Sequence, residues 1–333
     1  MITDDQGTTE ILRDAAARAT LAPSIHNTQP WRFRLGGHSL EMRLDPDRQL
    51  QVLDPGRRQL LISCGCALFN ARVAVAAGRH ALRVERFPER SDPDLVARLT
   101  LGEPNAPWTP LVRLDAAIDL RRSNRREFFD TRVSEEVLWE LTTAASAEDA
   151  TVVPVSGLDQ RREVAALVRE ADAIENADPD YLAELRKWTI ERSTPDDGVA
   201  AGSYPQATGR HGEIPLRDFG SGLSGHMPPV LDSGLDQCLL VIGTSADDPL
   251  HWLRAGEALE RLWLEATRLD QVVSLLSQPV EVRQTRQRLG QVLGADIWPQ
   301  ALLRVGQAAP NVATRRRPLD QVLDEPVTQP PTH

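Results

Sequence analysis

Apolar residues recur at helical spacing in two stretches of the chain that share one pattern. Residues 65–78 read GCALFNARVAVAAG and residues 256–269 read GEALERLWLEATRL, with Gly65 in step with Gly256. In both stretches the apolar positions form a broad stripe, which is typical of a helix buried in a core. The pattern therefore predicts two related core helices.

The two helical stretches are followed by similar segments in the same order. A strand-like run follows each helix, at 81–87 (ALRVERF) and at 272–278 (VVSLLSQ), and a second run comes later, at 96–104 (VARLTLGEP) and at 300–308 (QALLRVGQA). The offset is about 190 residues, which is far too long for the repeat unit of a solenoid. The ordered agreement therefore predicts a duplicated domain.

We predict a first half over residues 1–115 and a second half over residues 116–333, and the two halves differ in a complementary way. The helix that opens the first half is followed by a polar turn, APSIHNTQPWRF (22–33), which has no counterpart in the second half. The second half opens instead with a basic turn, RRSNRR (121–126), ahead of a helix that Ser134 is predicted to cap. Each half thus keeps a distinctive turn that the other lacks.

A region rich in Gly and Pro interrupts the second half. Seven glycines lie between residues 198 and 225, so this stretch does not form one regular element. Loops of this length in a compact protein are usually lids or disordered segments. Because Trp188, Tyr204 and Phe219 give the region side chains to pack with, we predict an ordered lid over 186–232, with disorder as the alternative.

Composition and charge narrow the class of protein. With 41% hydrophobic and 26% charged residues, the chain has an ordinary soluble composition. No apolar run approaches the ~18 residues that span a bilayer, and the opening MITDDQGTTE is too acidic and polar for a secretory signal. A net charge of −10 argues against nucleic acid as a partner, and three cysteines fit a reducing compartment. We therefore expect a cytoplasmic protein with no membrane or nucleic-acid partner.

Few residues carry a recognisable chemistry. Gly-rich nucleotide loops, G-x-S-x-G and H-E-x-x-H are absent from the sequence, and the seven histidines are too scattered to predict a metal site. His26 is the one candidate base, although a lone histidine in a turn is more often a local hydrogen-bonding residue. Two arginine clusters remain, at 121–126 and at 315–317 (RRR). They form either a phosphomonoester site, which suits guanidinium forks, or a solvated charged face.

Three stretches of the chain resemble one family. APSIHNTQPWRF closely resembles the A-P-S-x-x-N-x-Q-P-W signature of the FMN-dependent nitroreductase superfamily, RRSNRREF resembles its R-R-S-x-R-x-F opening, and RRRPLDQVL resembles its basic C-terminal tail. The duplicated arrangement is similar to the mycobacterial Acg-type branch. The resemblance implies an α+β, nitroreductase-like fold in which two fused halves form a pseudo-dimer, each half a mixed, largely antiparallel sheet flanked by helices.

Members of this family form FMN sites between an arginine turn on one subunit and a Pro-Ser-x-x-Asn turn on the other. Because this chain keeps one turn of each kind, the resemblance implies one FMN per chain and a monomer that is an internal pseudo-dimer. Arg121 and Ser123 would hold the phosphate end, Arg125 would lie at the flavin N1–C2 edge, and the backbone at 275–277 would reach flavin N5. The cofactor-binding residues implied in this way are Ser24, Asn27, Gln29, Arg121, Arg122, Ser123, Arg125, Leu276, Ser277, Arg315, Arg316 and Arg317.

The same resemblance implies an NAD(P)H-dependent oxidoreductase of small nitro or quinone compounds. One alternative is an FMN-sequestering or flavin-storage protein, in which the predicted lid seals the ring and leaves little turnover. A third, non-flavin interpretation is a regulatory protein whose arginine turns bind another anion. The sequence contains no residue dedicated to nicotinamide, so it leaves these alternatives open.

Overall fold

The computed structural model describes residues 3–189, 196–199, 217 and 238–324, and these ranges contain nine α-helices and nine β-strands. The helices are α1 (Thr3–Thr20), α2 (Arg58–Ala77), α3 (Asp115–Leu120), α4 (Glu135–Ser146), α5 (Leu158–Asn176), α6 (Pro179–Thr189), α7 (Pro249–Arg268), α8 (Gln278–Glu281) and α9 (Arg283–Leu293). The strands are β1 (Trp31–Gly36), β2 (Ser39–Leu44), β3 (His80–Arg86), β4 (Leu95–Pro104), β5 (Thr151–Pro154), β6 (Cys238–Thr244), β7 (Val272–Leu275), β8 (Trp298–Gly306) and β9 (Leu323–Asp324).

The strands form two sheets with the same internal order. In the first sheet the order is β3-β4-β2-β1-β9, and neighbours are antiparallel except for β1 and β9, which are parallel. In the second sheet the order is β7-β8-β6-β5, and all neighbours are antiparallel. If β1–β4 and β5–β8 are each numbered from one to four, both sheets have the strand order 3-4-2-1, and β9 is added beside β1 in the first sheet. The predicted α+β class with largely antiparallel sheets and flanking helices is confirmed.

Local sequence patterns explain these elements. In β1, Trp31, Phe33 and Leu35 are buried while the residues between them are partly or fully exposed, which is the period-2 pattern of a strand with one face in the core. β8 is buried at every position after its first, as a central strand covered on both faces should be. α4 begins after Ser134, whose Oγ accepts the Val137 N–H at 3.3 Å, so the predicted cap is confirmed.

α2 precedes β3 of the first sheet and α7 precedes β7 of the second, and the two helices cross at a pair of glycines. A Cβ atom on Gly65 would lie 2.1 Å from the Leu253 carbonyl oxygen, and one on Gly256 would lie 2.0 Å from the Ile62 carbonyl oxygen. Protein interiors are close-packed and give no room for such overlaps, so only glycine lets the two backbones touch. The two glycines that fall in step in the sequence therefore lie face to face in the structure.

One described helix, α2, is long and apolar enough to cross a membrane by length and composition. The expectation that no stretch of the chain approaches that limit was wrong for this helix. Within the fold, 83% of its apolar window is buried, and it packs against α1 and α7. Its apolar character is therefore that of a core helix surrounded by protein.

The chain after β8 returns to the first sheet and passes both distinctive turns on the way. Asn311 Nδ2 donates to the Ser123 carbonyl at 2.7 Å, and the Arg317 N–H donates to Gln29 Oε1 at 2.8 Å. β9 then pairs in parallel with β1. The end of the second half is thereby built into the sheet of the first.

The predicted lid over 186–232 lies mostly outside the described residues. Its described parts are the end of α6, residues 196–199 and Arg217. Within 196–199, the Val199 N–H donates to the Trp188 carbonyl at 2.8 Å and Asp197 pairs with Arg48 at 3.1 Å. These contacts tie the short segment to α6 and to the loop after β2.

We expect Gly65→Ala to destabilise the protein by about 3 kcal/mol, because the added methyl group forces α2 and α7 apart. Gly290→Ala is the matched control: a methyl group on this helical glycine would have its nearest neighbours at 3.5 Å, and alanine favours the helix by up to about 1 kcal/mol. Urea unfolding followed by circular dichroism measures both. Equal stability of Gly65→Ala and the wild type would contradict backbone contact at the crossing.

Candidate functional site

The polar turn between α1 and β1 has an unusual backbone. His26, Asn27 and Gln29 have positive φ values of 45°, 54° and 51°. A left-handed conformation costs a residue with a Cβ roughly 1–2 kcal/mol, and strain of this kind clusters at functional sites. Ser24 helps to hold the turn, since its Oγ accepts the Gln29 N–H at 2.9 Å. Contacts with neighbouring residues must therefore hold the turn in this backbone conformation.

The side chains of the turn bind neighbouring backbone. Asn27 Nδ2 donates to the carbonyls of Gly198 at 3.1 Å and Arg315 at 3.2 Å. Gln29 is fully buried and accepts the Arg317 N–H. The Arg317 side chain in turn points towards Asp45, which lies 3.4 Å away. Gln29, Arg315 and Arg317 therefore belong to the framework that holds the turn. None of the three lines the cleft that adjoins the turn.

The basic turn between α3 and α4 docks on the end of β7. The Asn124 N–H donates to the Val273 carbonyl at 2.9 Å, and Ser123 forms a parallel bridge with Val273. Asn124 Nδ2 also donates to the Ala309 carbonyl at 2.9 Å. The turn is thus clamped between the second sheet and the C-terminal tail, and its arginines are directed by this clamp.

The polar turn and the basic turn meet at a cleft of three adjoining sections. The inner section is lined by Ser24 and His26, by α2, and by the ends of β7 and β8. The middle section shares Ser24 and Arg125 with the inner one. The outer section shares Arg316 with the middle one, and Ser123 lines all three. The structure thus brings residues of both turns and of the tail together along one elongated cleft.

The outer section is basic. Arg121, Arg122 and Arg316 line it together with one acid, Asp119. Two of the guanidinium groups converge on the Leu21 carbonyl, Arg121 Nη2 at 3.0 Å and Arg316 Nη2 at 3.3 Å. Every hydrogen bond of Arg316 to a described residue goes to a backbone carbonyl. Burial, with the nearby charge of Arg121, lowers the pKa of Arg316 to about 9. Like charges packed in this way favour an anion between them.

Buried His26, buried Arg217 and half-buried Arg125 line the inner section. Arg217 Nη1 donates to His26 Nε2 at 2.9 Å, so the neutral ring carries its proton on Nδ1. Burial and the charge of Arg217 lower the pKa of His26 to about 3. His26 is therefore a hydrogen-bonding residue and not a general base near neutral pH. Burial, again with Arg217, lowers the pKa of Arg125 to about 10, so this arginine keeps its charge.

Arg217 is fixed by residues of three helices. It pairs with Glu281 of α8 and, at 3.1 Å, with Glu175 of α5, and its guanidinium carbon lies 5.9 Å from the ring centroid of Tyr181 on α6. Burial raises the pKa of Glu175 to about 9. Burial also acts to raise the pKa of Glu281, but Arg217, His26 and a hydrogen bond with Glu175 together hold that pKa below its ordinary value. One acid is thus neutral and the other balances Arg217.

The end of β7 and the residues after it line the cleft, except for Leu276. Ser274, Leu275, Ser277 and Gln278 line the inner section. Leu276 between them is buried in the core of the second half, and its N–H donates to the Leu302 carbonyl at 2.9 Å. The N–H of Leu276 is therefore committed to the sheet.

Sequence reasoning missed six polar residues of the inner section: Gln59, Ser63, Arg217, Ser274, Gln278 and Gln300. For the first two a signal was present, because they stand four apart among apolar residues and so share one face of α2. Ser63 also accepts the Ile25 N–H at 3.1 Å. Arg217 gave no such signal, since it stands in the Gly- and Pro-rich stretch without a motif around it.

The matching of the halves defines a counterpart of the cleft on the other side of the glycine crossing. Cys66 follows the crossing glycine of the first half, and Glu257 is its equivalent in the second half. Ser277 follows β7 of the second half, and Arg86, at the end of β3, is its equivalent in the first half. Cys66 and Ser277 line the cleft. Arg86 and Glu257 instead form two hydrogen bonds, at 2.7 and 2.8 Å. At the counterpart position an ion pair therefore replaces the two residues that line the cleft.

A buried network extends this pair. Arg72 bridges Glu257 at 2.7 Å and Glu148 at 2.6 Å, and Arg261 reaches Glu148 at 2.7 Å. Glu148 is 1% exposed and Glu257 is 0% exposed. Burial acts to raise the pKa of Glu148, but Arg72 and Arg261 hold it below its ordinary value. The counterpart position is therefore packed protein with its charges paired.

The fold and the cleft define an α+β protein of two sheets with an elongated cleft whose outer section is lined by arginines. Rv3131 of Mycobacterium tuberculosis is 37% identical to this chain over 324 residues, which are 95% of this chain and 92% of that protein. The acg protein of the same organism is 34% identical over 326 residues, which are 96% of this chain and 97% of that protein. Both are named NAD(P)H nitroreductases. The chain belongs to the NAD(P)H nitroreductase family, in its mycobacterial Acg-type branch, and the resemblance seen in the sequence is confirmed.

Two further comparisons do not add to the family assignment. No protein-family model matches the chain. A crystal structure of a nitroreductase with bound FMN from Desulfitobacterium hafniense covers 63% of this chain and 96% of that chain, with 16% identity and a TM-score of 0.39. A TM-score of that size carries no structural argument, so family membership rests on the sequence relatives.

We expect His26→Gln to change the pH dependence of stability. The folded pKa of His26, about 3, lies below its unfolded value of about 6.5, so the wild type loses stability as the pH falls through 6.5. From pH 7 to pH 5 the loss is about 2 kcal/mol, and the variant escapes it. Urea unfolding of both proteins at the two pH values measures the effect. A constant difference between them would contradict a buried, neutral His26.

Proposed function

We propose that the protein is a cytoplasmic FMN-dependent oxidoreductase that uses NAD(P)H to reduce small nitro or quinone compounds. The observation that carries the proposal is the division of the cleft into an outer end lined by three arginines and an inner end lined by α2, β7 and β8. A flavin mononucleotide has a phosphate at one end and a flat ring system at the other. The chemistry of the lining matches that division, and the relatives named as NAD(P)H nitroreductases give the reaction class.

The outer section fits the phosphate. Arg121, Arg122 and Arg316 supply planar guanidinium groups that bind phosphate oxygens in pairs, and Ser123 supplies a hydroxyl. Ser24 and Asn27 line the middle section, where a ribityl chain would run. Their side chains are already oriented by hydrogen bonds within the polar turn and its neighbours.

The inner section fits the ring. When bound, FMN supplies transfer of a hydride between the nicotinamide and the acceptor. Arg125 keeps its positive charge in a half-buried setting and stabilises the negative charge of the reduced ring. Neutral His26 lines the section without adding charge. Leu275 and Ser277 supply the wall at the end of β7. Four groups that the family resemblance implies as cofactor contacts serve the framework instead and have no such contact in this proposal: Gln29, Arg315, Arg317 and the Leu276 N–H.

We propose in addition that residues 1–115 and 116–333 are fused halves of a pseudo-dimer and that the chain is a monomer with one FMN. The matching strand orders and the glycine crossing support two halves of common origin. The paired charges at the counterpart position support a single site. A fused pair needs no second chain to complete its cleft.

We expect one FMN per chain in the purified protein. The counterpart position has its arginines bound to Glu148 and Glu257 and offers no basic turn to a phosphate among the described residues. Acid release of the flavin, quantified by absorbance against protein concentration, gives the ratio. A ratio near two would refute the single site, and light scattering that shows an obligate dimer would refute the monomer.

Flavin storage has no observation in its favour. The relatives are named for NAD(P)H nitroreductase activity, and the lid on which storage depends lies mostly outside the described residues. The non-flavin interpretation rests on the same arginines and leaves the inner section without a role. We therefore rank the oxidoreductase first.

Turnover is tested on the protein as purified. We expect NADPH or NADH to bleach the flavin absorbance under anaerobic conditions, and a quinone or a nitroaromatic compound to restore it. Arg125→Gln should slow the bleaching roughly tenfold, since a charged hydrogen bond to the reduced state is worth about 1.5 kcal/mol or more, while Arg125→Lys should recover part of the rate. A yellow protein that neither nucleotide reduces would contradict the proposed activity and favour storage.

A further inference from the structure

The outer section of the cleft has an acid behind its arginines. Glu260 on α7 is 0% exposed, and its Oε1 lies 3.3 Å from Arg121 Nε. The guanidinium of Arg121 also donates to the Leu21 carbonyl and stacks on Trp263, 4.9 Å from the ring centroid. Glu260 does not line the outer section. It therefore holds Arg121 from the protein side, while Arg121 faces the cleft.

The surroundings of Glu260 come from three other elements. Arg121 approaches from the basic turn and Arg316 from the C-terminal tail, while α2 places Asn70 and the Cys66 thiol nearby. Burial raises the pKa of Glu260 to about 7, against the opposing effects of Arg121, Asn70 and Arg316. An acid that loses its proton near neutral pH therefore sits next to two of the three arginines of the outer section.

We propose that Glu260 couples phosphate binding in the outer section to the uptake of a proton, because it shares Arg121 with the bound anion. The ionised carboxylate uses part of the positive charge of Arg121 and repels the phosphate. A phosphate beside Arg121 and Arg316 in turn disfavours the ionised carboxylate, which takes up a proton. The coupling is reciprocal, as any linkage between two binding equilibria must be. It rests on the proposed function in that the anion is the phosphate of FMN.

The sign of the pH dependence distinguishes this coupling from the ionisation of the phosphate itself. Protonated Glu260 favours phosphate binding, so the affinity for FMN falls as the pH rises from 6 to 8. A phosphomonoester itself gains charge above its second pKa of about 6, which alone would strengthen binding over the same range. Riboflavin has no phosphate, so its affinity should not follow the fall.

The test is an FMN titration of the flavin-free protein at pH 6 and pH 8, followed by quenching of flavin fluorescence. For the wild type we expect affinity to fall about fivefold over that range, which is the result of phosphate binding raising the pKa of Glu260 by about one unit from about 7. Glu260→Gln should show no fall and should bind FMN more tightly than the wild type at pH 8. Glu265→Gln is the matched control: Glu265 is on the same helix, is 1% exposed and pairs with Arg113 and Arg268 instead. It should keep the wild-type profile.

Other results overturn the proposal in distinct ways. A fall that persists in Glu260→Gln would assign the effect to Arg316 and refute the role of Glu260. If Glu260→Gln does not fold, calorimetry of the wild type at pH 7.5 in two buffers of different ionisation enthalpy decides, because proton uptake on FMN binding supports the coupling and its absence refutes it.

The coupling and the proposed function fail separately. FMN binding without pH dependence would refute the coupling and leave the function standing. If neither FMN nor riboflavin binds, the function fails, and inorganic phosphate is the remaining probe. Thermal stabilisation by phosphate that weakens from pH 6 to pH 8 in the wild type, and not in Glu260→Gln, would preserve the coupling. Phosphate stabilisation that is equal at both pH values would refute it.

Discussion

The contact between Gly65 and Gly256 is the constraint on which the rest of the structure depends. Because neither residue has a side chain, α2 and α7 meet backbone to backbone, and the residues on both sides of the crossing reach the opposite half. Ser63 and Cys66 from α2 and Leu259 from α7 line the same cleft for this reason. A larger separation would withdraw the α2 wall from β7, β8 and the basic turn, so the shape of the cleft is set by a contact that does not itself touch a ligand.

Charge is distributed differently on the two sides of that crossing. Removing a charge from water is costly unless a partner accompanies it. At the counterpart position the partners are the protein's own carboxylates, Glu148 and Glu257, and the result is packed core. At the cleft the hydrogen bonds of Arg316 to described residues go to backbone carbonyls, and Arg121 pairs with a carboxylate, Glu260, held on the side away from the cleft. Arginine thus forms internal ion pairs at the counterpart position and lines an anion site at the cleft.

The sequence predicted the class of fold and the helix–strand–strand repeat because these depend on periodicity, which is local. It also identified the two turns that the structure brings together, through a family signature and through like charges that need a counter-ion. It could not distinguish Arg316, which lines the cleft, from Arg317, which turns to Asp45, since neighbours in an extended segment point in opposite directions and the register is set by β9. Arg217 was beyond reach because its contacts with described residues are all tertiary, to His26 and to α5, α6 and α8.

The path of the C-terminal tail has a consequence for the order of folding. Asn27 bonds to the carbonyl of a residue 288 positions later in the chain, and β9 enters the first sheet at an equally distant partner. Contacts between such remote segments form late, because a long loop must close before they can stabilise anything. The first sheet therefore keeps an open edge beside β1 until the second half has folded and delivered its tail. Ligand capture is accordingly a late event that only a fully assembled chain can perform.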